Sequence, residues 1–333
     1  GLIPECDAEH PAQPPEGIRD EHGFEWLSGM DSARTGVYLG TGIGGAHSFL
    51  HNHAHHLHQR ARAMLASYAN NHASDPDHGD LSAVVELLTH GPRYNPFVVA
   101  MLMPNAPAAA LGIKFTLTGP NVTYCVACAS GTVAVGHGYQ VVRDGQVDVA
   151  VTGGSEYLYD EHGHIFHGFD IAGTLARDYT DPNTANRPFD AKRSGFLFSQ
   201  GGAAVLVLED LEHARRRGAS IMAEVIGFAE TFDAHSMMSL APGGQQIERM
   251  IHAVLDDADL SPDNIDYVNA HGTGTPENDK MESMGCMAVI GERMKEVPIS
   301  SNKSMIGHTL TAAGAVEAVI SLLTIANGRI PPT

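Results

Sequence analysis

The chain has 333 residues, of which 43% are apolar, 18% charged and 6% aromatic, a composition that excludes a disordered chain, a coiled coil and a collagen-like repeat. Its formal net charge of −19 repels the negatively charged phosphate backbone, so we expect no nucleic acid partner. Four cysteines are too few for a disulfide scaffold at this length, which favours a reducing, cytoplasmic location. The most apolar stretch, 311–326, carries Glu317, so we expect no membrane span.

The predicted elements alternate between short apolar strands and helices, after a loop-rich extension over residues 1–33. Strands are predicted from 36 to a glycine turn at 40–45, and at 147–152, 201–208, 221–228, 265–270 and 297–300. Helices are predicted at 47–70, 129–143, 245–260, 278–291 and 311–327. This alternation is typical of a layered α/β fold. A strand–turn–helix pattern recurs in the two halves, each time with a reactive side chain at the turn.

Cys128 lies in the segment Tyr124-Cys-Val-Ala-Cys-Ala-Ser-Gly131, immediately before a predicted helix. The unpaired N–H groups and the dipole at a helix N-terminus favour a thiolate, and the small neighbouring residues let a substrate approach. Cys128 is therefore a candidate nucleophile, although a free cysteine more often only packs in a core. Cys125 and Cys128 also form a Cys-x-x-Cys pair, but no thioredoxin-like βαβ context accompanies it.

Two later segments carry further candidate residues. A histidine follows the predicted strand 265–270 in Asn269-Ala-His-Gly-Thr-Gly-Thr-Pro276, but one histidine among 20 is a weak signal. Ser301-Asn-Lys-Ser-Met-Ile-Gly-His308 precedes a predicted helix that carries Glu317. Its lysine and histidine could form one polar cluster with Glu317. A solvated lysine and a carboxylate on a helix face are the simpler interpretation.

Together these segments resemble those of the β-ketoacyl synthases, the condensing enzymes of the thiolase-like superfamily. The resemblance extends over residues 34–333. It also includes Gly153-Gly-Ser-Glu156, Arg187-Pro-Phe-Asp190 and the run from Gly201 to Glu209. It implies a layered α-β-α-β-α fold with two pseudo-duplicated halves. We expect a first half at 34–210 with the nucleophile and an incomplete second half at 211–333 with the Lys and His residues.

The resemblance also implies a role for each residue of the candidate site. Cys128 would accept the acyl chain as a thioester, which divides the condensation into two easier steps. His271 and His308 would donate hydrogen bonds to the malonyl thioester carbonyl as decarboxylation makes an enolate. Lys303 and Glu317 would hold the histidines. Two histidines, rather than histidine and asparagine, resemble the elongating class, and an intact Cys128 argues against the inactive chain-length-factor relatives.

Partners and cofactors follow from the same resemblance. Thr273 and Thr275 match the positions that bind the phosphopantetheine arm, and Arg93 matches a position that docks the acyl carrier protein. The arm arrives on that carrier protein, so we expect no metal and no separate cofactor. The resemblance further implies a homodimer that takes acyl and malonyl thioesters as substrates.

We therefore expect a decarboxylative Claisen condensation in fatty acid biosynthesis, in which the acyl group on Cys128 and malonyl-acyl-carrier-protein give 3-oxoacyl-acyl-carrier-protein. One alternative is a ketosynthase of a polyketide pathway. An alternative from another class is a non-catalytic, His-rich metal-binding or scaffold protein. Its basis is the cluster of His47, His51, His53, His55, His56 and His58 on one predicted helix.

The sequence departs from the usual family pattern in several places. The nucleophile segment reads Val-Ala-Cys-Ala-Ser, and Asn278-Asp279 replaces the usual Gly-Asp. Family members begin with a Val-Thr-Gly strand upstream and end with a Gly-Phe-Gly-Gly loop that supplies part of the oxyanion hole. We therefore expect a fragment that lacks both termini and is inactive in isolation. The turn Gly40-Thr-Gly-Ile-Gly-Gly45 does not fit a dinucleotide-binding pattern.

Overall fold

The computed structural model describes residues 30–43, 46–71, 95–160, 163–177, 179–236 and 239–333. Its strands are β1 (Thr35–Gly40), β2 (Asn121–Tyr124), β3 (Val149–Tyr157), β4 (Gly201–Glu209), β5 (Val268–Asn269) and β6 (Ile299–Ser300). Its helices are α1 (Ala46–Asn71), α2 (Val98–Leu102), α3 (Ala106–Lys114), α4 (Ser130–Arg143), α5 (His164–Ile171), α6 (Leu211–Arg216), α7 (Gln245–Asp257), α8 (Pro276–Ile290), α9 (Lys303–Ile306) and α10 (Ala313–Asn327). Strands and helices alternate along the chain, which confirms the predicted α/β class.

The first half is built on a four-stranded sheet in the order β2-β1-β3-β4. β1 pairs in parallel with β2 and β3, whereas β3 pairs antiparallel with β4 from Val149 opposite Glu209 to Tyr157 opposite Gly201. Every residue of β1 is buried, as expected for a central strand covered on both faces. The parallel strands β1, β2 and β3 therefore end at the same edge of the sheet, where the chain turns into Cys128.

Close glycine contacts bring two helices together at that edge. A Cβ atom on Gly131 of α4 would lie 2.8 Å from the backbone nitrogen of Ala315. A Cβ atom on Gly314 of α10 would lie 1.9 Å from the hydroxyl of Thr132. Only glycine allows the backbones to approach this closely. The helix that follows Cys128 thus packs directly on the helix that follows His308.

A smaller parallel pair, β5 and β6, organises the second half. Val268 lies opposite Ile299, and Asn269 lies opposite Ser300. Helices α7 and α8 pack together beside this pair. Cys286, Ile290 and Val297 form the buried apolar core between these elements. The ends of β5 and β6 carry the chain into His271 and Lys303.

The predicted strand at 221–228 is wrong. This segment is irregular, and its polar backbone groups bond to side chains instead of to a strand: Ile226 O accepts from the Tyr139 hydroxyl at 3.2 Å, and Phe228 N donates to Asp257 at 2.9 Å. Within the described part of the chain, no strand pairs with it. An apolar run forms a strand only where a neighbouring strand can form backbone hydrogen bonds with it. β5 and β6 likewise extend only over the two residues at which they pair.

Residues Leu310–Asn327 are long and apolar enough to cross a membrane by length and composition alone. In the fold this segment is a packed helix, since α10 contacts α4, β3 and β4. Glu317 on α10 forms an ion pair with the buried Lys303. The start of the segment is buried by these contacts, at Leu310, Thr311, Ala312, Ala313 and Ala315.

Candidate active site

A tight turn between β2 and α4 presents Cys128. Ala127, which precedes the cysteine, has a φ of 51°, an uncommon conformation for a residue with a side chain. Ser130 stabilises the turn, because its hydroxyl accepts from Val126 N at 2.9 Å and donates to Ala127 O at 2.6 Å. The strand, the turn and the first residues of α4 thus form a sharp elbow that projects the thiol of Cys128.

His308 lies directly against that thiol. Its Nε2 atom is 3.0 Å from Sγ of Cys128, although 180 residues separate the two in the chain. The other ring nitrogen, Nδ1, accepts a hydrogen bond from Leu310 N at 3.3 Å. Because Nδ1 accepts, the proton of the neutral ring is on Nε2. His308 therefore points an N–H group at the reacting sulfur.

His271 is the second imidazole at the site, and its ring centroid is 5.3 Å from that of His308. Nζ of Lys303 donates to the backbone oxygen of His271 at 2.6 Å and lies 3.3 Å from its Nδ1. The lysine also forms an ion pair with Glu317. An ammonium group only donates, so Nδ1 of His271 accepts and Nε2 carries the proton. Both rings are fixed in the tautomer that donates through Nε2.

Burial determines the charge state of these groups. It lowers the pKa of His308 to about 3, and the positive charge of Lys303 acts in the same direction. Burial likewise lowers the pKa of His271 well below its ordinary value, again with a contribution from Lys303. Burial raises the pKa of Glu317 to about 7, against the opposing effect of Lys303. At neutral pH the site therefore contains two uncharged imidazoles beside one buried lysine.

The thiol differs from the prediction. Burial raises the pKa of Cys128 above its ordinary value, and the positive charge of Lys303 only partly opposes this effect. The expected thiolate at a helix N-terminus is therefore wrong for the resting site, because removal of the sulfur from water outweighs the nearby N–H groups. Cys128 rests as a thiol and must lose its proton during acyl transfer.

Two carboxylates that the sequence analysis did not assign to the site hold the His271 loop, the half-buried Glu282 and the buried Asp279. Glu282 accepts from His271 N at 2.7 Å and from Gly272 N at 2.8 Å. Asp279 accepts from Gly274 N at 3.2 Å and from Phe189 N at 2.8 Å. Both lie in the first two turns of α8, on one helix face. The sequence signal that could have found them is the pair of acids three residues apart, shortly after the glycine-rich loop 271–275.

The two threonines predicted to bind the phosphopantetheine arm share this loop. Thr273 is buried, Thr275 is half-buried, and their hydroxyls lie 2.8 Å apart. Their role as ligands of the arm stays a prediction. Arg93, predicted to dock the carrier protein, lies outside the described residues.

An aromatic cluster lies beside the histidine at the nucleophile. The Phe196 ring meets the His308 ring edge to face at 5.3 Å, and Phe169 meets Phe196 at 5.5 Å. Phe198 adjoins Phe169 at 5.9 Å. These rings form an apolar wall on one side of His308, which lowers the local polarity and accounts for part of the effect of burial on its pKa.

The donor atoms of Cys128, His271 and His308 lie within 4.8 Å of one another, a spacing that three metal ligands could have. A histidine that binds a metal through Nε2 normally donates its Nδ1 proton to an acceptor. Here both Nδ1 atoms face N–H donors. The three residues fit hydrogen-bond donation better than coordination, and the absence of a resident metal stays a prediction.

The histidine cluster on α1 was the basis of the alternative metal-binding interpretation. His51, His53, His55, His56 and His58 follow one another along this helix, and His53, His56 and His58 are exposed. Among the described side chains, these histidines do not converge as a set of three ligands. The helix therefore offers no preformed three-ligand site in its described part.

Sequence profiles of two domains match almost the whole chain. The beta-ketoacyl synthase N-terminal domain matches residues 27–214, and the beta-ketoacyl synthase C-terminal domain matches residues 222–333. The chain belongs to the β-ketoacyl synthase family. This confirms the resemblance drawn from the Cys128, His271 and Lys303–His308 segments.

Individual relatives agree with this assignment. The 3-oxoacyl-[acyl-carrier-protein] synthase 2 of Staphylococcus aureus is 36% identical over 301 residues, which are 90% of this chain and 66% of the relative. The "Putative polyketide beta-ketoacyl synthase 1" of Streptomyces halstedii is 36% identical over 96% of this chain and 68% of its own length. This β-ketoacyl synthase chain thus spans about two thirds of the length of such relatives.

Solved structures show the same thiolase-like fold. One is a type II polyketide synthase acyl-carrier protein in complex with its ketosynthase bound to the hexaketide. Its TM-score is 0.73 at 29% identity, and the match covers 89% of this chain and 66% of that chain. Another is the ishigamide ketosynthase/chain length factor, with a TM-score of 0.70, 31% identity and coverage of 91% and 65%. The expected fold class is therefore confirmed.

Proposed function

We propose that this chain carries the condensing chemistry of a 3-oxoacyl-acyl-carrier-protein synthase. The observation that supports it most is the distance of 3.0 Å between the Cys128 thiol and Nε2 of His308, with the second imidazole beside it. A nucleophile and two neutral N–H donors are the groups that acyl transfer and enolate formation require. Belonging to the β-ketoacyl synthase family supports the same reaction.

In the first half-reaction, sulfur of Cys128 attacks the thioester carbonyl of an acyl chain on the carrier protein. The Cys128 proton leaves as the new C–S bond forms, and the phosphopantetheine sulfur departs and takes up a proton. The products are an acyl-Cys128 thioester and a free carrier thiol. The Nε2–H group of His308 faces the sulfur and would stabilise the negative charge that develops there as the thiol loses its proton.

In the second half-reaction, malonyl-acyl-carrier-protein loses CO₂, and the electron pair of the broken C–C bond forms an enolate. Nε2–H groups of His271 and His308 would donate to the enolate oxygen. The enolate carbon then attacks the acyl carbonyl, and the C–S bond to Cys128 breaks. Uptake of one proton restores the Cys128 thiol, and the product is a 3-oxoacyl-acyl-carrier-protein. Neutral imidazoles suit this step because they stabilise charge without giving up a proton.

Loading of an acyl group on Cys128 tests the first step. The full-length protein is incubated with an acyl-acyl-carrier-protein and digested at low pH, and its peptides are weighed by mass spectrometry. We expect the acyl mass on the peptide that contains Cys128, its loss in Cys128→Ser, and its retention in the matched control Cys125→Ser. Acylation of Cys125 instead, or equal loading of the Cys128→Ser variant, would contradict the proposal.

Elongation of fatty acids is the pathway that we propose, in keeping with the relative from Staphylococcus aureus. A polyketide ketosynthase is the second candidate, favoured by the polyketide relative and by both structures described above. The two differ in their acceptor, because a polyketide ketosynthase extends an unreduced 3-oxoacyl chain. Repeated additions without a reductase indicate the polyketide pathway, whereas arrest after one addition indicates fatty acid elongation.

The partners belong to this proposal too. The acyl carrier protein would supply both thioesters, and the phosphopantetheine arm would pass Thr273 and Thr275. A second copy of the chain would complete a homodimer. A cytoplasmic location fits the three described cysteines, which are all free thiols.

A further inference from the structure

Glu156 is a buried acid at the carboxyl end of β3, and the mechanism above does not use it. It is only 5% exposed. Its carboxylate accepts from Ile43 N at 3.2 Å and from the Thr311 hydroxyl at 2.7 Å, and Tyr157 N adds a third donor at 3.2 Å. Among the described residues no lysine, arginine or histidine forms an ion pair with it. Three donors and no cation are unusual surroundings for a buried carboxylate.

The donors come from the two segments that flank the nucleophile. Ile43 follows β1, whose last residue Gly40 is packed against the start of α4, because a Cβ there would lie 2.3 Å from the carbonyl carbon of Ser130. Thr311 lies three residues after His308, at the start of the helix that carries Glu317. Glu156 therefore ties the end of β1 to the His308 segment on either side of the Cys128 elbow.

The atoms around the Glu156 carboxylate are closely packed. A Cβ added to Gly42 would lie 2.8 Å from Oε2 of Glu156 and 2.6 Å from Cγ2 of Thr311. Glu156 itself follows Gly154, where a Cβ would lie 3.0 Å from Ala312 Cα. The carboxylate thus occupies a close-packed junction whose geometry its hydrogen bonds determine.

We propose that Glu156 is a positioning residue of the condensing site: it holds the end of β1 and the segment after His308 against the Cys128 elbow. The effect on condensation rests on the proposed function.

Condensation kinetics of Glu156→Gln in the full-length protein test the positioning role. The amide keeps an acceptor for Ile43 N, but it cannot accept from Ile43 N, Tyr157 N and the Thr311 hydroxyl together as the carboxylate does. We expect kcat to fall several-fold, with KM for the acyl thioester little changed. A parent-like kcat in Glu156→Gln would overturn the proposal.

Glu209→Gln is the matched control. Glu209 is a carboxylate on the paired strand β4, with its side chain only 8% exposed, but at the opposite end of the sheet and bound to Arg217. We expect its kcat for condensation to equal that of the parent protein. An equal change in both variants would show a general effect of carboxylate loss and would also overturn the proposal.

The positioning role has its own test in Thr311, which remains useful if Glu156→Gln fails to fold. Thr311→Val removes the hydroxyl at nearly constant volume, whereas Thr311→Ser keeps it. We expect kcat for condensation to fall several-fold in the valine variant with KM for the acyl thioester little changed, and to recover in the serine variant. Parent-like kcat in Thr311→Val would overturn the positioning role. If the full-length parent protein does not condense at all, the proposed function fails, whereas a condensing parent with an unaffected Thr311→Val variant overturns the positioning role alone.

Discussion

Single nitrogen atoms decide the chemistry of this site. Nδ1 of His308 accepts from a backbone N–H, and Nδ1 of His271 faces the ammonium of Lys303, so both rings donate through Nε2. A histidine in the other tautomer would present a lone pair to the sulfur and to the enolate oxygen. The groups that orient the rings therefore matter as much as the rings themselves.

Replacement of Lys303 by methionine tests this dependence. The change frees Nδ1 of His271 and leaves the buried Glu317 without its cation. We expect condensation to fall by about 10² or more, the size of effect seen when one donor to a developing oxyanion is lost. Acyl loading of Cys128 should fall far less, because His308 keeps its own partner. Lys280→Met, at an exposed position on α8, is the control and should leave both rates unchanged.

The low pKa of His308 predicts a pH dependence of stability. Its pKa is about 3 in the folded protein, against an ordinary value of 6.5, so below pH 6.5 the unfolded chain binds a proton that the folded chain excludes. This contribution to stability is complete above 6.5 and is lost as the pH falls toward 3. Urea unfolding should show a smaller loss of unfolding free energy between about pH 6.5 and pH 4.5 in His308→Gln than in the parent. The control is His58→Gln, at an exposed position on α1, which should lose as much unfolding free energy as the parent. If His308→Gln also loses as much as the parent, the lowered pKa of His308 is contradicted.

Much of this residue-level description could be predicted from the sequence, and the missed parts share a physical cause. Cys128, His271, Lys303 and His308 stand at turns after apolar runs, a pattern that local sequence shows. The resting state of the thiol and the role of Glu156 depend on burial and on partners far away in the chain. No local pattern contains that information.

At the scale of elements, the junction of α4 with α10 sets how closely the thiol and His308 approach. Each helix begins just after its reactive residue, and glycine lets the two backbones touch. A small change in the separation of these helices moves both groups at once. The sequence shows the glycines, but it does not show which helix each of them faces.

Gly314→Ala should therefore weaken both packing and activity. The new methyl group would lie 1.9 Å from the Thr132 hydroxyl and 2.8 Å from its backbone nitrogen, so the helices must separate. We expect the unfolding free energy to fall by about 1–3 kcal/mol, as is typical of overpacking. Acyl loading of Cys128 should also be slower. The control is Gly168→Ala on α5, where a Cβ meets nothing within 4 Å. Equal stability of the two variants would show that the junction is not tight.

The segment 221–228 shows where element-level prediction fails. Its apolar residues are compatible with a strand, yet Ile221, Met222 and Ile226 are about half exposed and no described strand pairs with them. A helix satisfies its own backbone, whereas a strand depends on another strand. The predicted helices at 129–143, 245–260 and 278–291 are accordingly close to the observed ones, whereas the helices α2, α3 and α5 and the strand β2 were not predicted.

At the scale of the whole molecule, the proposed homodimer needs a surface that a second copy can use. β2 is an edge strand, paired on one side with β1 and with no described neighbour on the other. Val122 on β2 is 37% exposed. An open strand edge with exposed apolar residues favours pairing with another strand, and a two-fold axis would pair β2 with itself.

Val122→Lys should weaken such an assembly, because charged side chains on an edge strand oppose pairing. We expect the sedimentation coefficient to change from that of a dimer to that of a monomer at micromolar concentration. Val207→Lys is the matched control, since Val207 is 52% exposed on β4, the other edge of the same sheet. Dissociation of both variants, or of neither, would argue against a dimer through β2.

The burial of the Cys128 sulfur has a practical consequence. In an unfolded chain this thiol returns to water and regains its ordinary acidity, so it reacts faster with an alkylating reagent than in the native state. A ligand that covers the Cys128 elbow should take the sulfur further out of water and slow its alkylation in the folded protein. Protection of Cys128, compared with the exposed Cys125 of the same molecule, then reports whether that ligand is seated at the nucleophile.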